Sequence, residues 1–249
     1  MYTLKELNNQ IVHSYSVKLP KDFVAAAVAV DRNGNAYHAG LVISYKGQVC
    51  VFHYTGSSIV LQPVPEDDWY LHKHLDFIHE EDVPAFVIHC QSIKKDANPK
   101  YGYYFGGDYY VDGKYFSETE ASEIMTCAGF CLNVLLGFIE ADEYLAVEDW
   151  DANDPDTRYT VYVHGQPEHL TADEYIEYYV NAVKKIYQPD ELAVLKKNLR
   201  RIYPIQYLAS AFMENLPIRK SEIDQNVENI QKILTKKAAD LVLLTLKAS

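Results

Sequence analysis

The chain has 249 residues and a mass of 28.5 kDa, which is room for one large domain or for one domain with an extension. Apolar residues make up 48% of it and charged residues 23%, which excludes a disordered chain. The formal net charge is −12, with −13 on residues 1–165 and +1 on residues 166–249, and this acidity argues against nucleic acid as a partner.

The sequence contains no segment typical of membrane insertion or secretion. Its longest apolar runs, Phe23–Val30 and Leu241–Leu246, are far shorter than the ~20 residues that cross a bilayer. Residues 1–10 lack the basic start, apolar stretch and cleavage site of a signal peptide. We therefore predict a cytoplasmic protein without a transmembrane segment, while export by a route without such a signal stays open. Four cysteines are too few for a disulfide scaffold, which agrees with a reducing compartment.

The first two thirds of the chain alternate short apolar runs with turn residues, which is typical of β-strands. We predict strands at Val24–Val30, His38–Tyr45, Gln48–Thr55, Ser58–Val64 and Ala85–Ile93, and one or two short ones within Tyr101–Phe116. Lys46 and Gly47 separate two of these strands as the two-residue turn of a hairpin. Asp67–Ile78 has apolar residues at helical spacing and is predicted as a helix.

The last third of the chain is predicted to be mostly helical. A strongly apolar helix at Cys127–Ile139, capped by Thr126, and a strand at Arg158–Gly165 come before it. Further helices are indicated by a capping box at Thr171 and Glu174, by Pro189 at a first turn, and by the pattern of Lys220–Lys247. The last of these has an apolar stripe that needs burial, made of Ile223, Val227, Ile230, Ile233 and Leu234. We therefore divide the chain into an α+β domain at residues 1–165 and a helical extension at 166–249, packed on it or next to it.

Three residues have the chemistry and the local context of a nucleophilic site: Cys127, His38 and His53. Cys127 opens a helix, whose N-terminus stabilises a thiolate and lowers the pKa of a cysteine. His38 begins one strand of the predicted hairpin, and His53 lies near the end of the other. A thiol nucleophile needs an imidazole as base and a third group that orients the imidazole. We therefore expect the Cys127 sulfur about 3–4.5 Å from a ring nitrogen of His38, with His53 at the other nitrogen.

The motifs around these residues resemble those of a known family. H-A-G-L at His38–Leu41, followed by F-H at Phe52 and His53, is similar to the histidine hairpin of NlpC-like cysteine peptidases. T-C-A-G-F at Thr126–Phe130 resembles their D-C-S-G-F motif. The order His, His, Cys is that of the circularly permuted papain-like branch, which includes relatives of lecithin:retinol acyltransferase and bacterial amidase-like proteins. Thr126 and Ala128 depart from the Asp and Ser of the family motif, and the N-C-E-H-F motif of the acyltransferase branch is absent.

This resemblance implies an α+β fold of the permuted papain-like type, in which an antiparallel sheet packs on the helix that bears the nucleophilic cysteine. It implies a cysteine hydrolase that cleaves an amide, peptide or thioester bond through a Cys-His-His triad and an acyl-enzyme. Cys127 would be the nucleophile, His38 the base and His53 the group that orients His38. No metal or organic cofactor is required. The partner expected is a peptide, amide or acyl substrate, and the sequence makes no prediction of the oligomeric state.

Two other interpretations stay open at this point. The same fold can serve as a catalytically silent binding module, in which Cys127 would be a buried core residue like Cys50, Cys90 and Cys131. A thiol-dependent acyltransferase would use the same Cys127 but would need an apolar acyl channel. The position of the three candidate side chains relative to one another discriminates among these interpretations.

Overall fold

The structure is a computed structural model of the chain, and it describes residues 2–14, 21–65, 69–117, 123–139, 141–151, 154, 157–164, 166–183 and 189–248. Its helices are α1 (Leu4–Gln10), α2 (Val83–Asp96), α3 (Cys127–Leu136), α4 (Ala172–Val183), α5 (Pro189–Lys197), α6 (Pro204–Ser210) and α7 (Lys220–Ala248). Its strands are β1 (Val12–His13), β2 (Phe23–Val30), β3 (Ala36–Tyr45), β4 (Gln48–Tyr54), β5 (Ile59–Pro63), β6 (Tyr70–His74), β7 (Lys100–Tyr101), β8 (Tyr109–Val111), β9 (Lys114–Phe116), β10 (Ile124–Met125), β11 (Tyr159–Val163) and β12 (Gln166–Leu170). The chain therefore has an α+β fold.

A six-stranded antiparallel sheet, in the order β1-β6-β2-β3-β4-β5, forms the centre of the molecule. Every residue of β2 is buried, because side chains cover both faces of this strand. Ala26 and Val28 point into the main core, whereas Ala25 and Ala27 point into a separate apolar cluster on the opposite face. The near-continuous apolar sequence of β2 follows from this two-sided burial.

The hairpin β3–β4 is confirmed with the turn that the sequence predicts. Tyr45 pairs with Gln48, so the loop consists of Lys46 and Gly47 alone. Both loop residues have positive φ, 50° at Lys46 and 77° at Gly47. This backbone twist matches the right-handed twist of the flanking strands, and it fixes the register of the hairpin that carries both candidate histidines.

Helix α3 packs on one face of the central sheet. Its buried side chains meet those of β3 and β4 in the main core, where the Phe130 ring lies 5.3 Å from that of Phe52 and 5.9 Å from that of Tyr54. The helix begins at Cys127, as predicted, and it ends at Leu136 rather than at Ile139. At its end Gly137 lies so close to the carbonyl group of Tyr110 that no side chain fits there.

Two predicted elements are wrong. The helix expected at Asp67–Ile78 is in fact the strand β6, although residues 66–68 lie outside the described part of the chain. Pairing with β2 on one side and β1 on the other outweighs the helical spacing of this short run. The strand expected at Ala85–Ile93 is the middle of α2, whose Val83, Phe86, Cys90 and Ile93 are buried at helical intervals.

The last third of the chain shares the main core with the central sheet. The α7 stripe is covered: Ile223, Ile230, Ile233 and Leu234 are buried in that core and Val227 packs against it. Helix α7 also approaches the turn before β3, where Gln231 Nε2 donates to the Gly34 carbonyl at 3.0 Å. Strand β12 pairs with β11, so a hairpin joins residues on the two sides of position 165.

Candidate active site

The structure places two of the three predicted site residues in direct contact. His38 in β3 and His53 in β4 form a hydrogen bond, with 2.7 Å between His38 Nε2 and His53 Nδ1. Their rings are nearly perpendicular, with an interplanar angle of 77° and a centroid distance of 4.9 Å. His53 is buried and His38 is partly exposed, so the pair lies where the sheet meets solvent.

Gly40 leaves the space in which the two imidazoles meet. A Cβ atom at this position would lie 3.0 Å from Val51 Cγ2 and 3.4 Å from His53 Cβ, so a larger residue would crowd the strand that carries His53. His38 is two residues before Gly40 and is therefore a diagonal neighbour of His53, within reach of a long side chain. The glycine of the H-A-G-L motif thus has a steric role in the pairing of the histidines.

The hydrogen bond between the histidines restricts their tautomers. One of the two nitrogens must donate and the other accept. When His38 Nε2–H donates to His53 Nδ1, the Nδ1 atom of His38 has a free lone pair and can act as a base. The opposite arrangement would protonate His38 Nδ1 and remove that base. The pair therefore orients the His38 ring, and in the first of these two arrangements it leaves His38 Nδ1 to accept a proton.

Cys127 is the first residue of α3, and the start of this helix is well defined. Thr126 caps the helix, and its Oγ1 atom accepts a hydrogen bond of 3.1 Å from the Gly129 N–H. Burial raises the pKa of the Cys127 thiol, while hydrogen bonding from the backbone N–H groups of Ala39, Ala128 and Cys127 itself acts in the opposite direction. The expected lowering of the pKa of Cys127 is wrong, because loss of solvent outweighs the helix N-terminus.

The thiol and the imidazole are not joined in this structure. Among the described residues no hydrogen bond links Cys127 to His38, although Ala39, whose N–H acts on the thiol, follows His38 directly. This separation follows from the alternation of side chains along β3. Ala39 lies in the core beneath α3, so positions 38 and 40 on either side of it face the other side of the sheet. The predicted base and nucleophile thus meet the same short stretch of β3 from opposite sides, and the expected contact between the Cys127 sulfur and a ring nitrogen of His38 is not confirmed.

The His38 imidazole is uncharged at neutral pH. Burial and the neighbouring His53 lower the pKa of His38 from 6.5 to about 4. Because the pKa of Cys127 is raised, both groups are held in their neutral forms. The resting site is therefore a thiol and a free imidazole, in contrast to a preformed thiolate–imidazolium ion pair.

Tyr101 is a further residue at the site that the sequence analysis did not identify. Strand β7 runs parallel to β10, with Tyr101 opposite Met125, two residues before Cys127. Burial raises the pKa of Tyr101, and the Tyr103 hydroxyl and the Cys127 thiol raise it further, so the phenol is protonated at neutral pH. Its ring packs over Gly56, where a Cβ atom would lie 3.4 Å from Tyr101 Cδ2. The Gly- and Tyr-rich composition of this region was the one signal available in the sequence.

The other three cysteines resemble Cys127 in having thiols whose pKa is raised by burial. Cys90 and Cys131 are fully buried and Cys50 is half-buried on β4, and burial raises the pKa of each thiol.

No cluster of three or more His, Cys, Asp or Glu side chains with the geometry of a metal site occurs within the described residues.

Comparisons with known proteins gave no match. No family model, no curated protein and no solved structure matches this chain. None of the described helices has both the length and the apolar character needed to cross a membrane.

Proposed function

We propose that this chain is a cysteine hydrolase that cleaves an amide, peptide or thioester bond through Cys127, His38 and His53. The observation that carries the proposal is the 2.7 Å hydrogen bond between the two histidines at the residue next to Ala39, whose N–H acts on the Cys127 thiol. A base and its orienting group thus lie next to Ala39, the residue of β3 whose N–H acts on the thiol at the capped start of α3. This is the set of groups that thiol catalysis requires.

The neutral state of the site defines the first chemical step. As the Cys127 sulfur attacks the substrate carbonyl carbon, the thiol proton passes to His38 Nδ1, while Nε2–H stays bound to His53. Because His38 and Cys127 meet β3 from opposite sides, this step requires a rearrangement of β3 that brings His38 Nδ1 within hydrogen-bond distance of the sulfur. The tetrahedral intermediate then expels its amine or thiol, which takes the proton from His38 and leaves an acyl-enzyme. Water attacks this thioester with His38 as base and releases the acid.

We propose two donors that would stabilise the negative oxygen of the tetrahedral intermediate. The N–H of Cys127 is at the start of α3, where helix N–H groups lack partners within the helix. The hydroxyl of Tyr101, which is protonated at neutral pH, is the second. We propose the permuted papain-like arrangement for the fold as a whole, supported by the antiparallel sheet, by α3 packed against it and by the order of the three residues. All four cysteines are free thiols, which suits a reducing compartment, and the cytoplasm is the proposed location.

The acyl-enzyme provides a direct test that needs no knowledge of the natural substrate. The full chain is mixed with 4-nitrophenyl acetate, nitrophenol release is followed by stopped flow, and the acetyl group is mapped by peptide mass spectrometry. We expect acetylation at Cys127 in the wild type and none at this position in Cys127→Ala. The acetylation rate in His38→Ala should be lower by a factor of about 10² or more. Cys50→Ala and His79→Ala are the matched controls, since Cys50 and His79 lie away from the site and should leave the rate unchanged.

A catalytically silent binding module is the second candidate, and one observation favours it. The thiol and the imidazole are on opposite sides of β3 and share no hydrogen bond. In such a module Cys127 would react no faster than Cys50, and His38→Ala would leave its acetylation rate unchanged. Acetylation that is confined to Cys127 and depends on His38 would exclude this candidate.

A further inference from the structure

A cleft lies where the acidic loop after α3 meets the residues that precede α6 and the start of α7. Its empty volume is about 560 Å³ with the open mouth included, which is within the range of pockets that bind small molecules. The charged and aromatic residues that line it include Trp150, Asp151, Asp154, Arg201 and Lys220. The three residues of the candidate active site are not part of this lining.

Arg201 is held in a fixed position at the cleft. Its Nη1 atom donates to the carbonyl oxygen of Arg158 and, at 3.1 Å, to Thr160 Oγ1. The guanidinium carbon lies 5.2 Å from the centre of the Tyr103 ring and 4.6 Å from that of the Tyr203 ring, so two aromatic rings attract the cation. A side chain that is already ordered in this way loses little further freedom when a ligand binds to it.

These contacts leave one edge of the Arg201 guanidinium available. Nε and Nη2 donate no hydrogen bond to any described residue, and neither of them is a buried atom. Within the described part of the chain, no carboxylate forms an ion pair with Arg201. The Nε–H and Nη2–H groups of an arginine point in the same direction, as a fork that matches the two oxygens of a carboxylate or phosphate.

The other charges in the cleft decide between these two anions. Lys220 Nζ lies 3.2 Å from Asp224 and 4.0 Å from Asp154, so this cation is already paired. Asp151 also lines the cleft, and its negative charge raises the energy of any further negative charge nearby. A ligand with one negative charge is therefore favoured over one with two, and a carboxylate is favoured over a phosphate.

We propose that this cleft binds a small molecule that carries a single carboxylate, which Arg201 holds through Nε–H and Nη2–H. The site is separate from Cys127, His38 and His53, and the inference does not rest on the proposed function. Arg201 is the residue that determines the specificity, because its fork recognises both oxygens of the carboxylate.

The two tryptophans of the chain provide the measurement. Trp150 lines the cleft and Trp69 does not, so the indole N–H signal of Trp150 in a proton–nitrogen correlation spectrum reports binding, with Trp69 as the internal control. Trp69→Phe assigns the two signals. The probe is N-acetylglycine, which has one carboxylate, and its matched control is N-acetylglycinamide, which has nearly the same shape and no charge. Inorganic phosphate is the third ligand, and all titrations are made at constant pH and ionic strength.

We expect N-acetylglycine to move the Trp150 signal to saturation. Its affinity should exceed that of N-acetylglycinamide by about tenfold or more, and Arg201→Gln should lose about the same factor. Arg32→Gln removes an exposed arginine outside the cleft, so it changes the net charge equally and should bind as the wild type does.

Four outcomes would overturn the proposal: a Trp150 signal that does not move, equal affinity for the two glycine derivatives, tighter binding of phosphate, or an unchanged affinity in Arg201→Gln. If Arg201→Gln does not fold, Arg201→Lys replaces it, because lysine keeps the charge and lacks the fork. An affinity in Arg201→Lys equal to that of the wild type would then refute the role of the fork. The comparison of N-acetylglycine with N-acetylglycinamide needs no variant and decides whether the cleft recognises a carboxylate.

Discussion

The dependence of the acylation rate on pH is a sharp test of how this site would work. If His38 is the base, the rate falls in acid as the imidazole becomes protonated, and the midpoint of that fall is the pKa of His38 in the free protein. The structure lowers this pKa from 6.5 to about 4, chiefly by burial and secondly through His53. The thiol adds no midpoint below neutrality, because the pKa of Cys127 is raised.

The size of the effect follows from the two pKa values. At pH 5.5 a base with a pKa of about 4 is about 97% unprotonated, whereas an ordinary imidazole near 6.5 is about 9% unprotonated. The rate at pH 5.5 should therefore stay near its plateau, and an unperturbed histidine would give about a tenth of that plateau. The difference is about tenfold, well above the scatter of a stopped-flow measurement.

His53→Ala should move this midpoint in a known direction. Removal of His53 abolishes the second cause of the low pKa of His38 and admits water to the cavity that it leaves, so the pKa of His38 rises. The acid limb should shift towards 6.5, and the plateau should fall about tenfold or more because the base is no longer oriented. The assay is acetylation by 4-nitrophenyl acetate from about pH 3.5 to 8, which includes the expected midpoint near 4, with Cys127→Ala as the background. A wild-type midpoint near 6.5, or an acid limb that is identical in His53→Ala, would refute the assignment of His38 as the base.

Three further predictions concern stability and are measured by urea unfolding. Gly137→Ala should cost about 3 kcal/mol or prevent folding, because its Cβ atom would overlap the Tyr110 carbonyl; a variant as stable as the wild type would contradict this packing. Thr126→Ala should cost about 1 kcal/mol through loss of the 3.1 Å cap to Gly129, and Thr126→Ser should restore it; an equal loss in both variants would argue against the cap. Burial lowers the pKa of His72 from 6.5 to about 3, so the unfolded chain binds more protons and stability declines as the pH falls through this interval. Between pH 7 and 5 the wild type should lose about 2 kcal/mol more than His72→Asn, and parallel losses would show that His72 is not the group responsible.

The parts of the fold that the sequence predicted correctly are those with local signals. The β3–β4 hairpin is specified by Lys46 and Gly47, since a two-residue loop with positive φ at both positions permits one register. The start of α3 is specified by Thr126, whose side chain satisfies an N–H group of the first turn. Each signal acts within a few residues, so no knowledge of the tertiary structure is needed to recognise it.

The two wrong predictions come from segments in which helical and strand periods compete. In β6, Tyr70 and His72 point to one face and Leu71 points to the other, but the apolar positions around them also fit a helix. Pairing with β2 decides the outcome, and such pairing depends on residues more than 40 positions away. In α2, Phe86, Cys90 and Ile93 are buried at helical spacing, but the β-branched and aromatic composition of the run favoured a strand.

The sequence predicted the contact between His38 and His53, but it predicted neither the separation of His38 from Cys127 nor the electrostatics of the thiol. The sequence identified His38 and His53, because a motif fixes residue types and their strands. The direction of the pKa shift of Cys127 depends on burial, which is set by the packing of α3 on the sheet and is not encoded in the residues next to it. Tyr101 reaches the site from another element and could not be found from local patterns.

The arrangement of the core bears on the division of the chain at residue 165. Residues after position 165 contribute to the interior of the fold. The Tyr207 hydroxyl donates a hydrogen bond to the Gly40 carbonyl, next to the histidine pair, and Ile230 and Leu234 lie in the same core as Phe130. The strands that flank position 165 belong to one hairpin. The candidate site therefore borders residues from both sides of position 165. Described residues of both parts contribute to one core around β3 and α3.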